Sequence, residues 1–208
     1  EIIVDIKDWS IQVHDNGEGI MPVDILLCGK PNFTSKAIGS CFGYRGRSLS
    51  DISAMCYVNI ASRSKFHVSR FSGSIIHNGK SQVPVSSVAP KHSIGTSIIC
   101  REIFFNRPVI RKNILRRSSH EVELERVLSS IRMLATMHPS VIFEVRSAAN
   151  TVVFSTKSAS TIRNRLSELF TGNEIAEQML EATWANECIR INGMFSPPDF
   201  KPMRSTDA

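Results

Sequence analysis

The sequence predicts an α+β fold, with helices packed on one face of a mixed, mainly antiparallel sheet. Three observations carry this. Short apolar runs with period-two alternation recur through the first hundred residues, separated by glycine and polar turns. One long stretch, 120–137, carries an apolar face at helical spacing. With 42% apolar and 21% charged residues, the composition is that of an ordinary globular domain.

The elements follow in order. Residues 2–6 and 10–14 read as a hairpin, with Asp8 and Trp9 at its turn. A short helix is expected at 22–28, with Val23, Leu26 and Leu27 as its apolar face. Residues 29–40 hold two glycines and a proline without a sustained period and read as a loop. Leu49, Ile52 and Cys56 sit at helical spacing, so a helix starts near Gly46 or Arg47. From Tyr57 to about Val88 the alternation returns, including Phe66-His67-Val68, and reads as an antiparallel meander broken by Gly73 and Gly79. Gly95-Thr96 opens a strand running through Ile103, which Pro108 stops. In helix 120–137, Leu124, Val127, Leu128, Ile131 and Ala135 mark the inward face, and His138-Pro139 ends it. Val141–Val145 and Thr151–Phe154 form a hairpin around Ala149-Asn150. A Ser/Thr/Lys-rich linker, 155–161, precedes a helix through Phe170 that Gly172 closes. Residues 175–180 read as another short helix and 188–194 as a final strand.

The chain has 208 residues, enough for one large domain or one domain and part of another. No run approaches the roughly 18 apolar residues of a membrane span, and no secretory segment opens the chain. Both ends read as cut. The five cysteines are odd in number and widely spaced, which argues against a disulfide framework or zinc site and for a reducing compartment. A net charge of +6 permits nucleic-acid contact without demanding it. The positive side chains crowd one stretch, Arg101 to Arg117, where a solvated basic face is the plain alternative.

Three segments carry candidate chemistry. The strand Ile11–His14 runs into Asp15-Asn16-Gly17-Glu18-Gly19. Here a carboxylate at a strand end, beside nearly bare backbone, can accept a hydrogen bond from an exocyclic amine while a flat ring approaches. A plain Asp/Asn-Gly turn fits the same residues. Thr34-Ser35-Lys36 offers two hydroxyls and an ammonium to an anion, or is simply a solvated loop. Gly43-Tyr44-Arg45-Gly46-Arg47-Ser48-Leu49 is a glycine-flanked loop feeding a helix start, which suits phosphate or an ordinary turn.

In this fixed order, the segments resemble the ATP-binding region of the MutL homologues, the DNA mismatch-repair ATPases of the GHKL superfamily. Asp15-Asn16-Gly17-Glu18-Gly19 resembles the superfamily's Asp-x-Gly-x-Gly motif, and Thr34-Ser35-Lys36 the lid triplet of the MutL branch. Gly43 to Leu49 is similar to its Gly-Phe-Arg-Gly-Glu-Ala-Leu motif. Gly95-Thr96 with Phe104–Lys112 is similar to its Gly-Thr…Leu-Phe-x-Asn-x-Pro-x-Arg-x-Lys signature. Met137-His138-Pro139-Ser140 and Tyr44 further resemble the third eukaryotic branch, which acts in meiotic crossing-over.

The resemblance implies a GHKL-type ATP-binding domain over 1–155, lacking its first helix, and the truncated start of a transducer domain over 156–208. Asp15 would take the adenine amino group with support from Thr96, and Gly17 and Gly19 would give the base room. Thr34, Ser35 and Lys36 would belong to a lid. Gly43, Tyr44, Arg45 and Gly46, with Arg47, Ser48 and Leu49 following, would wrap the phosphates. Arg107, Arg111 and Lys112 would touch DNA phosphates. ATP and Mg2+ would be the cofactors. A second MutL homologue, MutS homologues and double-stranded DNA would be the partners, in the nucleus. Two departures stand out: Arg47 replaces the family's glutamate, and Ile110 a usual arginine. The general base and the magnesium ligand belong to a helix expected before Glu1. A non-catalytic DNA-binding or scaffold subunit of a mismatch-repair or meiotic recombination complex is the alternative.

Overall fold

The computed structural model describes residues 1–37, 42–67, 71–77, 80–82, 93–170 and 179–196. The chain divides into two compact units, Glu1–Ser129 with Phe143–Ser155, and Ser130–Ile142 with Thr156–Ala208.

The first unit is built on an eight-stranded sheet. Its strands are β1 (Ile2–Asp5), β2 (Ser10–His14), β3 (Tyr57–Arg63), β4 (Phe71–His77), β5 (Lys80–Gln82), β6 (Gly95–Arg101), β7 (Glu144–Ser147) and β8 (Val152–Ser155). The spatial order is β5-β4-β3-β6-β2-β1-β7-β8. Among the described residues, only the β1–β7 pair is parallel. The fold is therefore α+β with a mixed, mainly antiparallel sheet, as expected.

Register explains where the core lies. Val58 faces Cys100 and Ile76, and Ile60 faces Ile98 and Ser74. Period two puts these side chains on one face. Val58, Ile60 and Ile76 are fully buried there, with Ile25 and Cys56, while Ile20, Cys28, Leu49 and Ile103 pack around them. Ser62 and Thr96 continue the same two rows as a directly opposed pair, so the polar end of this face lies where β6 begins.

Three helices accompany these strands in the chain: α1 (Ser48–Ser53), α2 (Pro108–Arg117) and α3 (His120–Met137). The inward face of α3 is as the periodicity predicts, with Leu128, Ile131 and Ala135 buried. The β1–β2 and β7–β8 hairpins also match.

Several expectations are corrected. Residues 22–28 form successive turns rather than a helix. Bonds to residues three back, Asp24 N–H to Met21 O and Leu27 N–H to Asp24 O, interrupt any regular ladder. The inward residues there are Ile25 and Cys28, whereas Val23 is 73% exposed. Phe66 and His67 lie in a turn rather than a strand, with His67 N–H on Ser64 O. What ends β6 is the pair Glu102 and Phe104, both with positive φ. Pro108 instead opens α2, because a proline at the first helical position forfeits no intrahelical hydrogen bond.

The second unit contains α4 (Ile162–Leu169) and a hairpin of β9 (Leu180–Ala185) with β10 (Arg190–Phe195). Thr161 caps α4 by accepting from Asn164 N–H at 3.1 Å. The fully buried Arg165 donates to Glu168 Oε2 at 2.5 Å, Pro139 O at 2.6 Å and Val141 O at 2.8 Å. The helix expected at 175–180 ends in error, since Leu180 begins a strand. Residues 175–178 and Gly172 lie outside the described residues.

Candidate functional site

The strand β2 delivers Asp15 to its end, alongside the start of β6. Asp15 N–H donates to Thr96 O at 2.8 Å. In return, Asp15 Oδ1 accepts from Thr96 N–H at 3.1 Å and from Gly17 N–H at 2.9 Å. The carboxylate belongs to an exposed residue, yet one of its oxygens is fixed by two backbone donors. Such a group has little orientational freedom to lose when it accepts from a ligand.

Glycine is obligatory at two places around it. Gly19 has φ +74, and a Cβ there would lie 2.3 Å from Arg63 O. Gly95 has φ +125, and its Cβ would lie 2.1 Å from Asp15 O. Both contacts are with backbone, so no larger residue fits without moving a strand end. Beneath them, the buried Ser62 hydroxyl accepts from Ile20 N–H at 2.8 Å, donates to Gly95 O at 3.0 Å and lies 3.1 Å from Thr96 Oγ1. Ser62 escaped the sequence reading because a serine in an apolar strand carries no periodic signal.

A second group gathers the loop residues. Thr34 Oγ1 accepts from Lys36 N–H at 3.1 Å, and Lys36 Nζ donates to Phe42 O at 3.1 Å. A Cβ on Gly43 would lie 3.9 Å from Lys36 Nζ, so that ammonium sits beside the glycine. Gly46, φ +63, packs on the 32–33 backbone, 2.5 Å from its would-be Cβ to Phe33 O. Arg45 Nε donates to the Tyr44 hydroxyl at 2.9 Å, and its guanidinium lies 5.4 Å from that ring's centre. Ser35, Lys36, Arg45 and Arg47 are exposed, so three cations share this loop pair. Arg47 stands at the N-cap of α1 without a side-chain cap bond, and Ser48 begins the helix. At six residues, α1 is too short to supply much dipole. Leu49 faces the core instead. Each group is tied within itself, and the bonds given above do not run from one to the other. Ile38, Gly39 and Ser40 of the loop lie outside the described residues.

No protein-family model matches the chain. Individual proteins do. The DNA mismatch repair protein MutL of Desulforamulus reducens is 29% identical over 196 residues, 91% of this chain and 29% of that protein. That of Lacticaseibacillus paracasei is 28% identical over 197 residues, 91% of this chain and 29% of that protein. That of Lactobacillus acidophilus is 30% identical over 206 residues, 94% of this chain and 31% of that protein. Over nine-tenths of its length the chain is similar to the MutL homologues. It spans less than a third of the length of these relatives. Two solved structures share the fold. The Aquifex aeolicus MutL ATPase domain complexed with ADP superposes with a TM-score of 0.62 at 22% identity, covering 88% of this chain and 63% of that one. The N-terminal domain of a DNA repair protein gives a TM-score of 0.68 at 19% identity, covering 96% and 63%.

The MutL-like signature after β6 turns out to be partly scaffolding. Phe104 N–H donates to Met55 O at 2.7 Å and Asn106 Nδ2 to Ala54 O at 2.8 Å, which ties this segment to the end of α1. Phe105 packs at a tilt against Tyr57 and His77, at 4.9 and 5.4 Å between ring centres. Arg107 is the N-cap of α2 and Lys112 is exposed on it. Arg111, by contrast, lies over the Trp9 ring at 5.1 Å, so its charge is engaged within the fold. Among the described residues no group of three or more His, Cys, Asp or Glu side chains is placed to hold a metal ion.

Proposed function

We propose that this chain is the ATP-binding part of a DNA mismatch repair protein of the MutL family. The observation that carries it is Asp15, an exposed carboxylate with one oxygen held by Gly17 N–H and Thr96 N–H. A carboxylate so held matches the amino group of adenine, which needs an acceptor. The loop pair with Lys36, Arg45 and Arg47 supplies positive charge and open backbone for a polyphosphate. That a related ATPase domain was solved with ADP supports the same ligand class.

In the whole protein, nucleotide shifts a two-state equilibrium, closing the lid and bringing N-terminal domains together on DNA. Double-stranded DNA, a second MutL homologue and MutS homologues are the partners, in the nucleus. The 208-residue chain binds nucleotide without turning it over. A general base must lie within hydrogen-bond reach of its water. Here Glu1 pairs with Arg146 at 3.0 Å and Glu18 with Lys65 at 3.6 Å, so neither is poised for that task. The magnesium ligand is supplied from outside these residues.

Limited proteolysis tests the reading. ATP is expected to protect the chain around Lys36, and Asp15→Asn to abolish that protection. Protection by DNA alone would overturn the nucleotide reading in favour of a DNA-binding scaffold. Steady-state hydrolysis by the native chain, lost in Asp15→Asn, would contradict the assignment as binding without turnover.

A further inference from the structure

We propose that Ser62 sets the hydrogen-bond polarity of the base-binding end, holding the Thr96 hydroxyl as a pure acceptor and so selecting a 6-aminopurine over a 6-oxopurine. This rests on the nucleotide reading of Asp15 and names the residue that decides which base that site takes.

One buried cluster fixes where each hydroxyl proton goes. Ser62 is wholly inaccessible and Thr96 is 7% exposed. A serine hydroxyl has one proton and two acceptor lone pairs. Gly95 O lies 3.0 Å from Ser62 Oγ and, as a carbonyl, can only accept. Turning the Ser62 proton elsewhere would leave two oxygen lone pairs facing each other in a buried place, which is costly. The proton therefore goes to Gly95 O. Ile20 N–H takes one Ser62 lone pair at 2.8 Å. The contact to Thr96 Oγ1, at 3.1 Å, is then a bond only if Thr96 donates.

The Thr96 proton thus points inward, and its oxygen offers only lone pairs to a base in direct contact with it. Asp15, beside it, is likewise acceptor-only when ionised. A 6-amino group satisfies two acceptors. A 6-oxo group would set lone pairs against both. Ser62 touches no ligand in this scheme. It is a positioning residue acting through Thr96, and it also anchors Ile20 just after the Gly19 approach.

The test is competition binding against a fluorescent ATP analogue, using ATP and inosine triphosphate with the native 208-residue chain, Ser62→Ala, Thr96→Val and the double variant. The native chain is expected to favour ATP by about tenfold or more, since a site built for a donor rejects an analogue lacking it. Ser62→Ala frees the Thr96 hydroxyl to rotate and donate, and the ratio should fall several-fold. In the Thr96→Val background, Ser62→Ala should leave the ratio unchanged. A Ser62→Ala chain that loses affinity for both nucleotides equally, keeping the ratio, would overturn the inference, since that is what a purely structural serine would do. A second measurement needs no variant. In the native chain a Thr96 hydroxyl proton protected from exchange, with a through-space contact to the Ser62 β protons, is expected. A Ser62 hydroxyl proton directed at Thr96 instead would overturn it. Failure of the native chain to bind either nucleotide would refute the nucleotide reading itself, and this inference with it.

Discussion

Gly95→Ala should uncouple Asp15 from Thr96. Gly95 has φ +125, and an added Cβ would sit 2.1 Å from Asp15 O and 2.9 Å from Asn16 Cα. Neither neighbour is a side chain that can swing away. Relief requires the start of β6 to separate from the end of β2, which breaks Asp15 N–H to Thr96 O and Thr96 N–H to Asp15 Oδ1. The imposed backbone conformation costs about 1–3 kcal/mol, and each lost hydrogen bond about 1 kcal/mol. The first unit should therefore lose roughly 3–5 kcal/mol. With a urea slope of roughly 2–3 kcal/mol per molar, its midpoint falls by roughly 1–2.5 M. Trp9 lies in the first unit and Trp184 in the second, so Trp9 fluorescence in a Trp184→Phe background isolates the relevant transition. Gly17→Ala serves as the control. Its Cβ would meet only the Asp15 carboxylate, at 3.0 Å, without a left-handed φ, and its cost should stay below about 1 kcal/mol. Equal midpoints for the two variants would refute the close approach of the 95–96 segment to Asp15.

Further outcomes follow from other features. Arg165→Met should destabilise the second unit by about 3–5 kcal/mol, because Glu168 and the carbonyls of Pro139 and Val141 lose a buried charged donor; Trp184 fluorescence in urea reads it. Burial, and then the Asp24 carboxylate, push the Cys28 thiol up to about 11 from an ordinary 9.0. Iodoacetamide at pH 8 should therefore modify the exposed Cys188 well before Cys28. Between pH 9 and 11 the folded chain keeps a Cys28 proton that the unfolded chain releases, so stability should fall as pH rises through that window, as urea midpoints will show. Cys56 is shifted the same way, first by its hydrogen bond with Cys100 and then by burial. Finally, Lys112→Gln should weaken DNA binding and reduce its salt slope by about one. Arg111→Gln should instead cost about 0.5–2 kcal/mol of folding stability through the lost Trp9 contact, with little change in DNA affinity by filter binding.

What could be read without coordinates was whatever leaves a period or a turn. Helix α3 showed its face at Leu128, Ile131 and Ala135, and the β7–β8 hairpin announced itself at Ala149-Asn150. Asp15 and Thr96 were paired only through the family resemblance. Their mutual hydrogen bonds span 81 positions, which no local pattern encodes. Helix α2 was missed because a proline after a strand read as a terminator, though it also makes a good first helical residue. Residues 22–28 misled because Val23, Leu26 and Leu27 have helical spacing, while the irregular turns put Ile25 and Cys28 inward. Ser62 was invisible because its importance comes from three partners on two other segments, Ile20 and the start of β6 at Gly95 and Thr96.

The sheet order carries a consequence for biosynthesis. Strand β6 is inserted between the amino-terminal ribbon and the central meander, and β1 finds its outer mate only at β7. A ribbon of two strands is barely stable alone in water. As the polypeptide leaves the ribosome, residues 2–14 must wait for translation to pass residue 101 before a neighbour arrives to receive them. During that interval Ile2, Ile3, Val4 and Ile11 form an unpartnered apolar ribbon, which a cotranslational holdase is suited to shield.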